Sequence, residues 1–343
     1  MRFLGSQISG VRFELFYWDY SFGRFLGLII LGLTLGMVPS EGTDTFLENL
    51  FSAKMSFVLL QMGAGVLNNV GSFCMTSSIA IAGLSVTFPI ANGTGLVFGT
   101  FINYLADPKG SLLFLVVGSV FALSAIICLT FAYRYRTLQQ HQKQAYALEE
   151  MTEICQEENG EDIEVELKEK KRTRIIDTRD KSAVIKGVFL CVMSGVFSTF
   201  WSPMGAIAMR GEGRLNPYTV LLYTYIGGLF CCVPLTSFFM RYPLTKDPPL
   251  NLSSYLSMTR DGHLWGFFAG FIVCVGTVLY LISSKSLGFA VTYAIAQGGP
   301  LISSLFGLFV WKEFDGVERK TKIMLISSFV LYTIAITLVA LAK

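Results

Sequence analysis

Long apolar runs alternate with short polar joints along this chain. A run of about 20 apolar residues is the length a helix needs to cross the hydrocarbon core of a bilayer. Nine such runs stand out, at 15–38, 55–80, 84–105, 111–133, 184–208, 218–240, 263–284, 288–311 and 322–342. Between the fourth and fifth lies the one long polar stretch, 134–183. From Arg134 to Lys186 it carries eleven Lys/Arg and twelve Asp/Glu, a composition that stays solvated. Its opening, RYRTLQQHQKQAYALEEM, reads as a helix leaving the membrane. The chain thus divides into a first membrane unit (1–133, four spans), a charged loop (134–183) and a second membrane unit (184–343, five spans).

The two units repeat. Residues 64–97 match 269–302 without a gap at a shift of 205, with twelve of 34 positions identical. The clearest stretch sets GLSVTFPIANG (83–93) against GFAVTYAIAQG (288–298). Under that shift, 218–240 falls on the first span and 184–208 falls before residue 1. The expected architecture is an all-α membrane protein with nine transmembrane helices, arranged as two five-helix repeats with the first helix of repeat one missing. Repeats with an odd number of spans enter the bilayer in opposite orientations. Such inverted repeats mark secondary transporters, whose solute site lies between the halves.

Lys and Arg in the joints set the orientation. One side collects 21 of them, including those of 134–183, and the other collects six. The richer side, with the loop, is expected in the cytoplasm. The start MRFLGSQISG lacks the pattern of a cleaved signal. Charged residues make up only 15% of the chain and mean hydropathy is +0.56, against about 25% charged in soluble domains. The formal net charge of +3 gives no case for nucleic acid. Six of seven Cys lie in apolar runs, and Cys155 lies in the charged loop. His141 and His263 have no metal-ligand spacing, and no GxSxG, HExxH or phosphate-loop motif occurs. Neither an enzyme, a cofactor nor a metal site is expected.

Several blocks carry a family likeness. GLSVT (83–87), GTFINYLAD (99–107) and LGFAVTYAIAQGGPLISSLFGLFVWKEFDGVERKT (287–321) resemble the ureide permease family, within the drug/metabolite transporter superfamily. FELFYWDYSFG (13–23) resembles the start of that family's second helix, and FSTFWSP (197–203) its sixth. The resemblance implies two five-helix inverted repeats and proton-coupled movement of a small polar heterocycle: a ureide, oxo-purine or pyrimidine. It also implies a cell-membrane location. Plant members carry a nucleotide-loop-like motif in the central loop, which this chain lacks. Rhamnose and glucose uptake carriers of the superfamily share the KE pair after the ninth helix, so a sugar is the alternative solute. A transport-incompetent receptor or scaffold built on a truncated transporter is the alternative of another class. The expected partners are the solute, a proton or other driving ion, the lipid bilayer and, as an open possibility, a second copy of the chain.

Three sets of residues carry the site expectations. A charge inside a span is costly and usually functional. Asp19 is about 10 Å into the first span at 1.5 Å per residue, and is expected to carry the coupling proton or to pair with Arg24. Asn92 and Gln297 occupy equivalent positions, each before a Gly, and present a carboxamide from each half. With Asn68, Asn69, Thr87 and Thr292 they offer the paired donors and acceptors that an imide or ureido edge needs, or act as glue between helices. Trp18, Trp201 and Tyr293 could stack on a flat ring.

Overall fold

The computed structural model describes residues 12–38, 44–82, 84–108, 110–157, 181–243, 248–296 and 316–342, with scattered positions across 298–309. Among the described residues every regular element is helical. Helix α1 spans Phe13–Thr34, α2 Phe46–Ser52, α3 Met55–Ala82, α4 Leu84–Ala106 and α5 Leu112–Glu157. After the loop come α6 Lys181–Thr199, α7 Trp201–Ala208, α8 Pro217–Arg241, α9 Leu252–Leu256, α10 Arg260–Leu287, α11 Phe289–Ala296 and α12 Arg319–Leu341. Among the described residues seven stretches are long and apolar enough to cross a membrane: Glu14–Met37, Met55–Ile79, Leu112–Arg136, Ile185–Ala208, Pro217–Arg241, Arg260–Leu287 and Arg319–Val339. Nine were expected. Helix α4, the third expected span, has 23 residues and is not among those seven. The span expected at 288–311 is described as helix only at Phe289–Ala296 and at scattered positions.

Two faces follow from the helix ends. Arg12, Arg241 and the 248–260 segment lie at one, here the near face. The 44–54, 107–111 and 209–216 joints and Ala342 lie at the other, the far face; Ser111 N–H donates to the Ala342 carbonyl there at 2.7 Å. The charged loop leaves from the near face. Helix α5 does not stop at the membrane boundary but runs for 46 residues. Its outer part is rich in Gln and Glu and free of Gly and Pro, a composition that favours continued helix.

Residues 205 apart recur in equivalent elements. Helices α3 and α10 each have 28 residues with bounds offset by that shift, and the short helices α2 and α9 follow α1 and α8 at corresponding places. Packing repeats as well: α1 lies along α10 and α3 lies along α8, while α1 meets α8 and α5 meets α12. Both long crossings are close. A Cβ added at Gly65 would strike the Thr224 carbonyl, and one at Gly270 would strike the Tyr20 carbonyl. Small residues let backbones approach in lipid, where apolar burial alone does not drive helices together.

Among the described residues the α6–α7 segment has no counterpart in the first half. It covers α3 and α4, and a Cβ at Gly71 on α3 would strike Ser198 of α6. Gly276, the equivalent of Gly71 on α10, faces nothing within 4 Å among the described residues. The helix pauses at Phe200, between α6 and α7. Pro203 has no N–H to donate to the Thr199 carbonyl, which loosens the ladder at that turn. The pause sets Trp201 and Ser202 in the interior.

Candidate functional site

A vestibule of about 240 Å³ lies at the far face, between the ends of α4, α7 and α10 and the starts of α8 and α11. Arg210, Arg214 and Lys285 line it with Asp44 and Asp107. Arg210 pairs with Asp107 and also donates to the Ala106 carbonyl. Asn49 on α2 ties this face together. Its Nδ2 donates to the Arg214 carbonyl at 2.8 Å, and its Oδ1 accepts from the Asn216 N–H at 2.8 Å and the Thr219 hydroxyl at 2.5 Å. Asn216 in turn caps α8, accepting from the N–H groups of Tyr218 and Thr219, as N-cap residues do.

Deeper in, a buried polar group bridges three helices. Ser202 of α7 donates to Asn103 Oδ1 of α4 at 2.7 Å, and its hydroxyl lies 2.5 Å from that of Tyr280 on α10. Trp201 sits on the Tyr280 ring with centroids 5.1 Å apart. Ser202 and Asn103 are both fully buried. Tyr293 is buried close by: a Cβ at Gly99, one turn before Asn103, would fall within its ring. Hydroxyls, a carboxamide and flat rings thus meet at the junction of both halves. That set can hydrogen-bond and stack a small polar ring.

The near face is built differently. Asp19 of α1 is fully buried. Its Oδ1 accepts from the Tyr255 hydroxyl of α9 at 2.5 Å, and its Oδ2 lies 2.7 Å from His263 Nδ1 at the start of α10. Burial, and then the bond to Asp19, push the Tyr255 hydroxyl above its ordinary pKa, so it stays protonated and donates. The expected pairing of Asp19 with Arg24 does not form. Five residues is about 140° of helix turn, and Asp19 faces α9 and α10 instead.

The other sequence-chosen residues separate. Trp18 stacks near Phe22 and Tyr255, with centroids 6.3 and 6.1 Å away, so it belongs to the near face and not with Trp201. Asn69 is spent on the protein, accepting from Tyr17 and donating to the Gly228 carbonyl; it clamps α1, α3 and α8. Asn68 is half-buried on the same helix. Thr87 lies 2.9 Å from Ser78, whose hydroxyl also donates to the Gly187 carbonyl, at the junction of α3, α4 and α6. Thr292 donates to its own helix at Gly288. Asn92 keeps a buried Nδ2 without a hydrogen-bond partner, while Gln297 lies outside the described residues. Asn103, Ser202, Tyr255 and His263 were not in the expected set. Asn103 stands in the NYLAD block and Ser202 in FWSP, the only sequence signals that pointed to them.

Comparison with known proteins identifies the scaffold. The ureide permease family model matches residues 16–342. The chain belongs to the ureide permease family. It is similar to Ureide permease 1 of Arabidopsis thaliana, at 25% identity over 93% of this chain and 87% of the relative. Ureide permease 5 of the same plant is 26% identical over 94% and 85%. A shorter match links it to Transmembrane protein 144 homolog B of Dictyostelium discoideum, 26% identical over 46% of this chain and 41% of the relative. No solved structure matches. As a permease with seven membrane-crossing stretches among its described residues, it is an integral multi-pass membrane transporter and not an enzyme. None of these relatives is named as a sugar carrier.

Proposed function

We propose that this permease is a secondary active transporter that moves a ureide, oxo-purine or pyrimidine across the cell membrane, coupled to protons through Asp19. The reading rests on one observation above the others. Asn103, Ser202, Tyr280 and Trp201 meet beneath the far-face vestibule. Carboxamide and hydroxyls match the alternating donors and acceptors of a ureido edge, and the rings match its flat faces. The names of the plant relatives agree with such a solute. Asn92, with its orphan donor, is assigned to the same site, together with its repeat partner Gln297.

The scaffold is read as two inverted repeats totalling nine spans, supported by the 205-residue shift and the matched crossings of α1 on α10 and α3 on α8. The near face, with the charged loop 134–183, is assigned to the cytoplasm on the Lys/Arg count. The far-face vestibule is then the external entrance, and the Asp19 lock closes the cytoplasmic exit.

Uptake into proteoliposomes tests the proposal. The panel contains ureides, oxo-purines, pyrimidines and hexoses, each with and without an imposed pH gradient. Saturable uptake of a ureide or oxo-base, driven by the gradient and reduced at least ten-fold in kcat/KM by Asn103→Ala, is expected; a lost buried hydrogen bond costs about 1–3 kcal/mol. Hexose uptake alone, or no uptake by folded protein, would overturn it.

A further inference from the structure

One buried group takes no part in either face. Arg24 lies eleven residues into α1, about 16 Å along the helix at 1.5 Å per residue, which is half of a hydrocarbon core about 30 Å thick. It is 6% exposed. No ion pair reaches it among the described residues, and its one hydrogen bond is a long 3.5 Å contact to Ser21 on its own helix. Its Nε–H is buried without a partner. The rings of Tyr20 and Tyr225 lie 4.7 and 5.3 Å from the guanidinium carbon. They cover the guanidinium through cation–π contact and give its N–H groups no acceptor. A charge held at midplane without a counter-charge is expensive and marks function.

A second orphan donor lies nearby in the fold. Gln61 on α3 is fully buried; its Oε1 accepts from Thr224, and its Nε2 has no partner. Thr224 and Tyr225 are neighbours on α8, so both orphans flank the same turn of that helix. Both are donors only, and the missing partner is therefore an acceptor. Tyr225 joins Arg24 to the vestibule: it belongs to the buried cluster that contains Tyr280 and Tyr293 and against which Trp201 packs. At the mouth, Arg210, Arg214 and Lys285 outnumber Asp44 and Asp107, which favours an approaching anion.

We infer that Arg24, with Gln61, anchors the carboxylate of a ring-opened ureide at the inner end of the transport site. A guanidinium offers two parallel N–H donors to a carboxylate, a geometry that an ammonium cannot reproduce. The inference rests on the transport reading above and narrows its solute class.

The test is uptake by reconstituted protein of two solutes: a neutral ureide with a closed ring and its ring-opened carboxylate. Wild type should transport both. Arg24→Gln should raise the apparent KM for the carboxylate at least ten-fold more than that for the neutral ring. Arg24→Lys keeps the charge but not the fork, and should raise the carboxylate KM several-fold while sparing the neutral ring. Gln61→Leu should weaken the carboxylate with yield and melting temperature unchanged. Equal effects of the Arg24 variants on both solutes, or none, would show Arg24 to be a packing residue and overturn the inference while leaving the transport reading intact. Uptake of the neutral ring alone by wild type would do the same. No ureide uptake by folded wild type overturns both. If Arg24→Gln does not fold, the ratio measured for Arg24→Lys decides.

Discussion

At the near face Asp19 takes a hydroxyl from Tyr255 and a ring nitrogen from His263. At the far face Asn49 joins the Arg214 carbonyl, the Asn216 amide and the Thr219 hydroxyl. The two arrangements occupy related places. Tyr255 belongs to α9 and Asn49 to α2, the short helices that follow α8 and α1. Each reaches across to the opening turns of the corresponding helix of the other half. The geometry is shared and the chemistry is not: one lock is built from titratable groups, a carboxylate and an imidazole, with a phenol, and the other from amides and a hydroxyl. Under the proposed coupling, a lock built on Asp19 at one face and on Asn49 at the other would let a proton give transport its direction.

Breaking the titratable lock has the largest expected effect. Asp19→Asn keeps shape and polarity but cannot change charge, so uphill accumulation should fall at least ten-fold while exchange down a gradient persists. Counterflow and gradient-driven uptake, measured on the same vesicles with the expression level, separate the two. Normal pH-driven accumulation by a well-expressed variant would remove Asp19 from coupling. Next comes the neutral lock. Asn49→Ala leaves the Asn216 and Thr219 groups short of partners, and should cost about 1–3 kcal/mol, seen as a lower Tm in detergent. Its pH profile should stay that of wild type, which is what distinguishes this lock from the other. Tyr255→Phe removes one of two donors to Asp19 and keeps the ring. About 1.5–3 kcal/mol is at stake for a hydrogen bond to a charged group, shared here with His263, so a several-fold loss of coupled uptake is expected. Loss as complete as in Asp19→Asn would mean that Tyr255, not His263, is the essential partner. The smallest effects contrast the halves themselves. Gly276→Ala meets open space and should change stability by no more than a surface substitution does, about 0.5 kcal/mol. Gly71→Ala strikes Ser198 and should be clearly destabilising. Equal penalties would mean that the α10 surface is covered in the membrane.

Seven of the nine expected spans recur among the described residues, and they could be read from the sequence because bilayer thickness fixes their length and lipid demands apolar side chains. The 205-residue shift could be read because both halves carry the same small residues at close crossings, as Gly65 and Gly270 do. Asp19 stood out as a charge in an apolar run. Its partners did not: Tyr255 and His263 are 236 and 244 residues away, and nothing local in their segments marks them. Asn103 and Ser202 are 99 residues apart and meet only because α7 starts at a pause in its helix. Asn69 looked like a solute ligand, yet it clamps three helices, a use that one sequence cannot distinguish. Arg24 was legible as a charge and as an alternative partner for Asp19, though poorly placed about 140° round the helix; helix phase sends the two side chains to different neighbours.

Helix α5 continues 21 residues past the end of its membrane span at Arg136, to Glu157, or about 30 Å at 1.5 Å per residue. Near that exit the Glu318 N–H donates to Gln139 Oε1 at 3.3 Å, linking it to the segment just before α12. A chain of 37.9 kDa almost wholly enclosed by detergent offers little for particle alignment in electron microscopy. This rod supplies a fixed mast, continuous with a core helix and remote from both locks. A compact domain fused in helical register beyond Arg136 would report the tilt of α5 directly, and would let the two access states be sorted by the angle of the mast.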